Sequence, residues 1–173
     1  DAAGVLKYKK RKEESLKKLE KTKENLLRID LIINEIKDTI EPLKGYGDLF
    51  FGMSIDDLVR TLGQPSNQEE VDSPFDDDTH VMVLDYDDDA FSAFFENDSV
   101  SKLSNLYTMN ENSVLFGAKV FDLNRDELVE LMKQNGYEEY SEDNEDGYCI
   151  SYDELNIDFY FDDNQLVEVF WER

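Results

Sequence analysis

Asp85, Asp87, Asp89 and Glu96 fall at relative positions 1, 3, 5 and 12, the oxygen-ligand spacing of an EF-hand calcium loop. Such a loop needs glycine at its sixth position for the sharp turn, and Ala90 stands there. The flanking residues read as strands, and the matching places 66 residues later hold Ser151, Asp153, Leu155 and Asp162. A solvated turn between strands is therefore expected, with no metal and no cofactor. His80 is the only histidine, so neither a His-ligated metal centre nor a His-based nucleophile relay can be assembled. Its place just before Val81 suggests a strand edge or loop. The lone Cys149 lies in an apolar run and reads as a buried small hydrophobe. Paired carboxylates are uninformative in a chain with 42 acids. No catalytic signature is present, and a non-enzymatic protein is expected.

The elements that position these residues are written twice. Tyr86-Asp87-Asp88-Asp89-Ala90-Phe91-Ser92-Ala93-Phe94-Phe95-Glu96-Asn97-Asp98-Ser99-Val100 returns, at an offset of 66, as Tyr152-Asp153-Glu154-Leu155-Asn156-Ile157-Asp158-Phe159-Tyr160-Phe161-Asp162-Asp163-Asn164-Gln165-Leu166. Upstream, Ser54-Ile55-Asp56-Asp57-Leu58-Val59 aligns with Asn124-Arg125-Asp126-Glu127-Leu128-Val129 at an offset of 70. A duplicated unit of one helix followed by three or four antiparallel strands is the expectation, repeat one over about 48–110 and repeat two over about 115–173. Ser54 and Asn124 are N-cap candidates, with Asp57 and Glu127 at the capping-box position. Gly63 with Pro65, and Gly136, stop the two helices. Gln64 to Thr79, ending in Pro74 and Asp76-Asp77-Asp78, reads as a loop. The pattern predicts strands over Val81–Tyr86, Ala90–Phe95, Val100–Tyr107, Tyr148–Tyr152, Ile157–Phe161 and Leu166–Trp171. The fold class is then α+β: one continuous sheet with both helices on one face.

Charge divides the chain. Residues 1–44 carry 12 Lys+Arg and 9 Asp+Glu, net +3, whereas residues 45–173 are net −27. The change falls at Pro42-Leu43-Lys44-Gly45, a helix-ending cluster. The acidic part is dense in aromatic and branched residues, which acidic disordered tails lack. Its charge repels nucleic-acid phosphates and anionic membranes and attracts basic partners. The chain has no apolar run long enough to span a bilayer and no hydrophobic leader segment, and its single cysteine fits a reducing compartment. A cytoplasmic protein with no membrane association and no direct nucleic-acid binding is expected.

Counting in sevens through residues 1–44 places Leu19, Leu26, Ile33 and Ile40 at one core position and Thr22, Ile29, Ile36 and Leu43 at the other. This is a heptad seam of a long helix, about 50 Å for about 35 residues at 1.5 Å each. It calls for a second helix, from another protein or another copy, along residues 12–43. Ala2-Ala3-Gly4-Val5-Leu6-Lys7-Tyr8-Lys9-Lys10-Arg11-Lys12, then Leu19, Thr22, Asn25-Leu26, Arg28-Ile29, Asn34-Glu35 and Pro42-Leu43, resemble bacterial SMC (structural maintenance of chromosomes) ATPases where the N-terminal head half passes into the coiled-coil neck. The chain has no G-x-x-x-x-G-K-[ST] phosphate loop. Asp1 and Leu31 stand where that family has a Glu and an acidic residue. The resemblance therefore implies no ATP hydrolysis. It implies either a helix shaped to lie beside an SMC neck or its kleisin partner, or a gene-fusion remnant.

Gly52-Met53-Ser54, Asp57-Leu58-Val59, Leu62-Gly63 and Pro65, followed by strands, resemble the BamE/SmpA lipoproteins and the beta-lactamase inhibitor protein, whose two tandem helix-plus-strands units form one sheet. In composition and strand pattern, residues 45–173 also resemble small acidic bacterial immunity proteins. Both resemblances imply binding without catalysis. Tyr86, Phe94, Tyr107, Tyr148, Tyr160, Phe170 and Trp171 exceed what one buried face needs, so some rings are expected on an open face. The expected function is an immunity- or inhibitor-type module that neutralises a basic protein, a toxin or other effector, through Tyr86, Asp87, Asp88, Tyr107, Tyr152, Asp153, Tyr160 and Trp171. The alternative is an SMC- or condensin-associated protein whose arm docks on a neck or kleisin helix while the acidic domain mimics DNA.

Overall fold

Proline 42 sets the first boundary of the fold. It has no N–H to donate, and it forces the residue before it into extended geometry. In the computed structural model, which describes residues 2–72, 80–96, 101–144 and 147–173, helix α1 accordingly runs over Ala2–Lys37 and gives way to strand β1 at Ile40–Glu41. The chain divides into two compact units, Asp1–Glu35 and Ile36–Arg173. Asp1, Pro74, Asp76–Asp78 and Asn97–Val100, all invoked above, lie outside the described residues.

The first unit is helix throughout its described length, built from Lys, Leu and Glu, which lose little side-chain freedom in a helix. A Lys17–Glu13 pair at 3.3 Å spans one turn, and Thr22 Oγ1 donates to the Lys18 carbonyl. Leu19, Leu26, Ile29 and Ile33 are all more than half exposed in the single chain. The heptad reading extends too far at its end. Ile40 is 2 % exposed in β1, inside the core of the second unit, and Leu43 lies in a turn with φ 63°. A spacing of seven continued past the helix because an inward-facing strand residue happens to fall on it.

In the second unit β1 pairs with β2 (Gly45–Tyr46), which pairs with β3 (Leu49–Phe50), a small antiparallel sheet. Helix α2 (Ile55–Leu62) starts where Ser54 Oγ accepts the Asp57 N–H. Next come β4 (Asn67–Asp72), β5 (His80–Tyr86), β6 (Phe91–Glu96) and β7 (Lys102–Thr108). A short hairpin, β8 (Val114–Leu115) with β9 (Ala118–Lys119), precedes α3 (Arg125–Gln134). Asn124 and Glu127 close a full capping box on α3, side chain to backbone in both directions. The chain ends with β10 (Ser141–Asp143), β11 (Tyr148–Tyr152), β12 (Ile157–Asp162) and β13 (Gln165–Glu172). The large sheet is antiparallel in the order β10-β11-β12-β13-β7-β6-β5-β4. The α+β class, with one N-terminal helix and a mostly antiparallel sheet, is as the sequence implies. The segment read as a loop after Gly63 contains β4, which carries no apolar alternation because all six of its residues are exposed at the sheet's edge.

The two halves of the sheet can be laid side by side. A 3₁₀ turn at Asp87–Asp89 ends in left-handed Ala90 (φ 49°), and one at Asp153–Leu155 ends in left-handed Asn156 (φ 47°). The ladder shifts register between Phe94 and Phe95 and again between Tyr160 and Phe161. Past that shift Leu103 faces Phe95 and Leu166 faces Phe161. The gapless offset of 66 therefore ends at the hairpin, where the third strands correspond at 63 because the second connection is three residues shorter.

One core serves both halves. Leu58 of α2 and Leu128 and Met132 of α3 are fully buried in the same cluster as Phe95, Leu106, Phe159, Val169 and Trp171. Three rings assigned above to a binding face belong here instead: Tyr86, Tyr152 and Trp171 are 5, 1 and 0 % exposed. Strand parity explains it, since each stands an even number of places from the core residues Leu84, Ile150 and Val169 on its own strand. Tyr86 donates its hydroxyl to the Gly63 carbonyl at 2.9 Å, whereas the buried Tyr152 hydroxyl has no partner among the described residues. A buried unpaired hydroxyl costs roughly 1–3 kcal/mol and a made hydrogen bond contributes about 1 kcal/mol. Tyr152→Phe should therefore raise the urea midpoint while Tyr86→Phe lowers it; equal losses for both would contradict the assignment.

Candidate functional site

The face of the large sheet opposite the core is one continuous set of cross-strand rows. Antiparallel pairing places side chains of paired residues on the same side, about 5 Å apart. The central row crosses all eight strands: Asn67, Asp85, Ser92, Tyr107, Phe170, Asp158, Ser151 and Ser141. On one flank Glu69, Val83, Phe94, Asn105 and Glu172 form a second row. On the other, Glu168, Tyr160, Cys149 and Asp143 form a third. These rows hold six carboxylates, four large rings and no basic residue.

The rings are Phe94, Tyr107, Tyr160 and Phe170, all half-buried. Phe94 and Phe170 meet edge to face across β7, with centroids 6.1 Å apart and planes at 73°. The polar groups are held in place. Ser92 Oγ donates to Asp85 Oδ1 at 2.6 Å, Asn67 Nδ2 to Asp85 Oδ2 at 3.3 Å, and Asn105 Nδ2 to Glu172 Oε2 at 2.8 Å. The Tyr107 hydroxyl donates a hydrogen bond to Glu168. A hollow of about 530 Å³ opens among Asn105, Asp158, Tyr160, Phe170 and Glu172. Fixed acceptors around apolar rings suit cations with alkyl or planar character.

Of the residues singled out from sequence, Tyr107 and Tyr160 lie on this face. Asp87, Asp88 and Asp153 lie in the two 3₁₀ turns at the ends of β5 and β11, exposed. Asp85, Asp158, Glu168 and Glu172 were missed as site residues. The signal for them was parity: each stands two or an even number of places from a face ring or its cross-strand partner. The four carboxylates at EF-hand spacing are not brought together, since Asp85 faces Ser92 while Glu96 faces Val81, four strand positions and about 13 Å further along. Cys149 is 8 % exposed beside Tyr160, and burial pushes its thiol up. His80 is exposed on β5, its Nδ1 3.1 Å from Asp72 Oδ1 across the ladder.

Against known proteins, a 44-residue stretch, 25 % of this chain, is 50 % identical to the chromosome partition protein Smc of Bacillus subtilis (strain 168). The chain spans 4 % of that protein's length. No protein-family model matches the chain. No solved structure matches it. The SMC resemblance thus stands as a weak, partial one. Among the described residues no helix is long and apolar enough to cross a membrane.

Burial and neighbouring carboxylates govern the face's phenols. Tyr107 is pushed up to about 12 by burial and then by Glu168, and Tyr160 to about 12 by burial and then by Asp158. On the core side Tyr152, buried beside Tyr140, and Tyr148, half-buried beside Glu142, also reach about 12. Unfolded tyrosine ionises near 10. The folded chain therefore holds these protons where the unfolded chain has lost them. Their contribution to stability is complete below about pH 10 and falls away as the pH rises towards about 12. Stability measured by urea titration should fall steeply over that interval. In Glu168→Gln, the Tyr107 phenol, followed by carbon NMR, should ionise at a lower pH than in the parent.

Proposed function

We propose that the acidic unit is a non-enzymatic binding module of inhibitor or immunity type, which captures a basic protein on the open sheet face. The observation that carries this reading is the central row with its flanks: half-buried rings bedded among carboxylates, with no cation in the array. Rings of this kind dominate the energetics of protein interfaces, and fixed charge of one sign speeds and selects the encounter. Tyr107, Tyr160, Phe94 and Phe170 are the anchors, with Asp85, Asp158, Glu168 and Glu172 around them. Asp87, Asp88 and Asp153 sit in turns from which they extend the negative field. We read the two halves of the sheet as copies of one ancestral unit. Matched turns, left-handed residues, register shifts and helix caps support this.

A second reading is favoured by the 44-residue similarity to Smc. In it α1 pairs through Leu19, Leu26, Ile29, Ile33 and Ile36 with a helix of an SMC protein, of a kleisin, or of a second copy, while the acidic unit occupies surfaces that DNA would otherwise take. Exposed apolar residues along α1 support a helix partner.

Titrating the full chain against cationic toxins and nucleases separates the two. Capture by the sheet face predicts saturable binding that weakens as salt shortens the Debye length from about 30 Å at 0.01 M to about 8 Å at 0.15 M. Tyr107→Ala and Asp158→Asn should each weaken it by about tenfold or more. Leu26→Asp with Ile33→Asp should leave it unchanged. Binding indifferent to salt and to the face substitutions would sink the first reading, and binding lost only on the α1 substitutions would favour the second.

A further inference from the structure

A second recess, away from the sheet face, lies where the chain leaves α1. Its floor is apolar: Leu49, Leu62 and the stacked rings of Tyr46 and Phe91, whose centroids are 5.7 Å apart. Its rim carries Asp38, Asp48, Asp89 and Lys37, and its volume is about 130 Å³. That is room for several groups of water's size.

The walls are fixed by the fold. Gly47, at φ 54°, lies so close to the end of α1 that a Cβ there would run into the Lys37 carbonyl, and its N–H donates to the Thr39 carbonyl at 2.8 Å. Trp171 Nε1 donates to the Gly45 carbonyl at 3.0 Å, and Tyr46 shares a hydrogen bond with Ser113 at 2.9 Å. The hairpin that forms one side of the recess is thus tied to Thr39, Ser113 and the core residue Trp171.

The charges on the rim do not balance. Three carboxylates face one ammonium, leaving a formal charge of −2. Asp38 is only 8 % exposed, and burial raises its carboxyl against the opposing pull of Lys37. Lys37 Nζ sits 2.8 Å from Asp89 Oδ1, with the two side chains 46 and 39 % exposed. An ammonium is therefore already seated on the rim, in a pair exposed enough to exchange. The three carboxylates come from three separate segments: the residue after α1, the β2–β3 turn, and the 3₁₀ turn after β5. Scattered acceptors suit the three rotatable donors of an ammonium better than the flat, paired donors of a guanidinium. Apolar walls suit a four-carbon stem.

We propose that this recess is a lysine slot: it takes the side chain of one lysine from a bound partner, stem against Leu49, Leu62 and Phe91, ammonium beside Asp48 and Asp89. The slot rests on the protein-binding reading above only for the source of that lysine. Lys37 occupies the rim when no partner is bound and competes with the incoming group.

The test titrates the full chain with Nα-acetyllysine N-methylamide and follows backbone amide resonances, using the arginine and norleucine analogues as controls. Saturable shifts confined to Tyr46–Leu49, Thr61–Leu62 and Asp89–Phe91 are expected with the lysine probe. An exposed charge pair is worth about twofold to fivefold in affinity, so Asp89→Asn should weaken the lysine probe by about that factor and Lys37→Ala should tighten it by about as much. Absence of shifts, equal shifts with norleucine, or binding of the arginine probe at least as tightly would overturn the slot. So would a Lys37→Ala chain that binds more weakly than the parent. A slot that binds the lysine probe in a chain that captures no cationic protein would overturn the reading of the sheet face and leave the slot standing.

Discussion

Residues 105–108 pair with 169–172, and the eight-stranded sheet exists because of that contact. Neither half would bury its own apolar face unaided, since each helix supplies only one or two fully buried side chains. Joining β7 to β13 lets Leu103, Leu106, Leu166, Val169 and Trp171 share one interior, which is how a short chain secures enough buried area to offset its conformational entropy. Trp171 extends that interior to the first hairpin, meeting Tyr46 edge on at 5.6 Å. The same pairing brings Tyr107 beside Phe170 on the opposite side. One strand contact therefore builds the core and centres the candidate site.

Much of this was legible in the amino-acid order. The caps at Ser54 and Asn124 marked both short helices, and alternation marked the central strands. What escaped lay where the pattern carries no energetic signal. Strands β4 and β10 are exposed on both faces, so nothing selects apolar residues at alternate places; the first read as a loop and the second drew no reading. Ile40 misled in the opposite sense: a single buried isoleucine continued the sevenfold spacing of α1 although the backbone had already turned extended.

The candidate site was half legible for a related reason. Aromatic excess announced that some rings must lie outside the core, but composition does not say which. Register does. Tyr107 and Thr108 are neighbours in sequence and face opposite sides, as do Phe170 and Trp171, so the division between core and face follows from the pleat once one pairing is known. The carboxylates of the face were hidden by abundance, and only the ladder separates Asp158 from the many acids that merely meet water.

The edges of the sheet carry a further implication. Asn67–Asp72 on one side and Ser141–Asp143 on the other are the outermost strands, exposed along their length. Glu69, Glu70 and Asp72 line the first edge, Glu142 and Asp143 the second, so two identical molecules approaching side by side present like charges to each other. The same one-signed charge that marks the open face therefore disfavours edge-to-edge pairing of two copies.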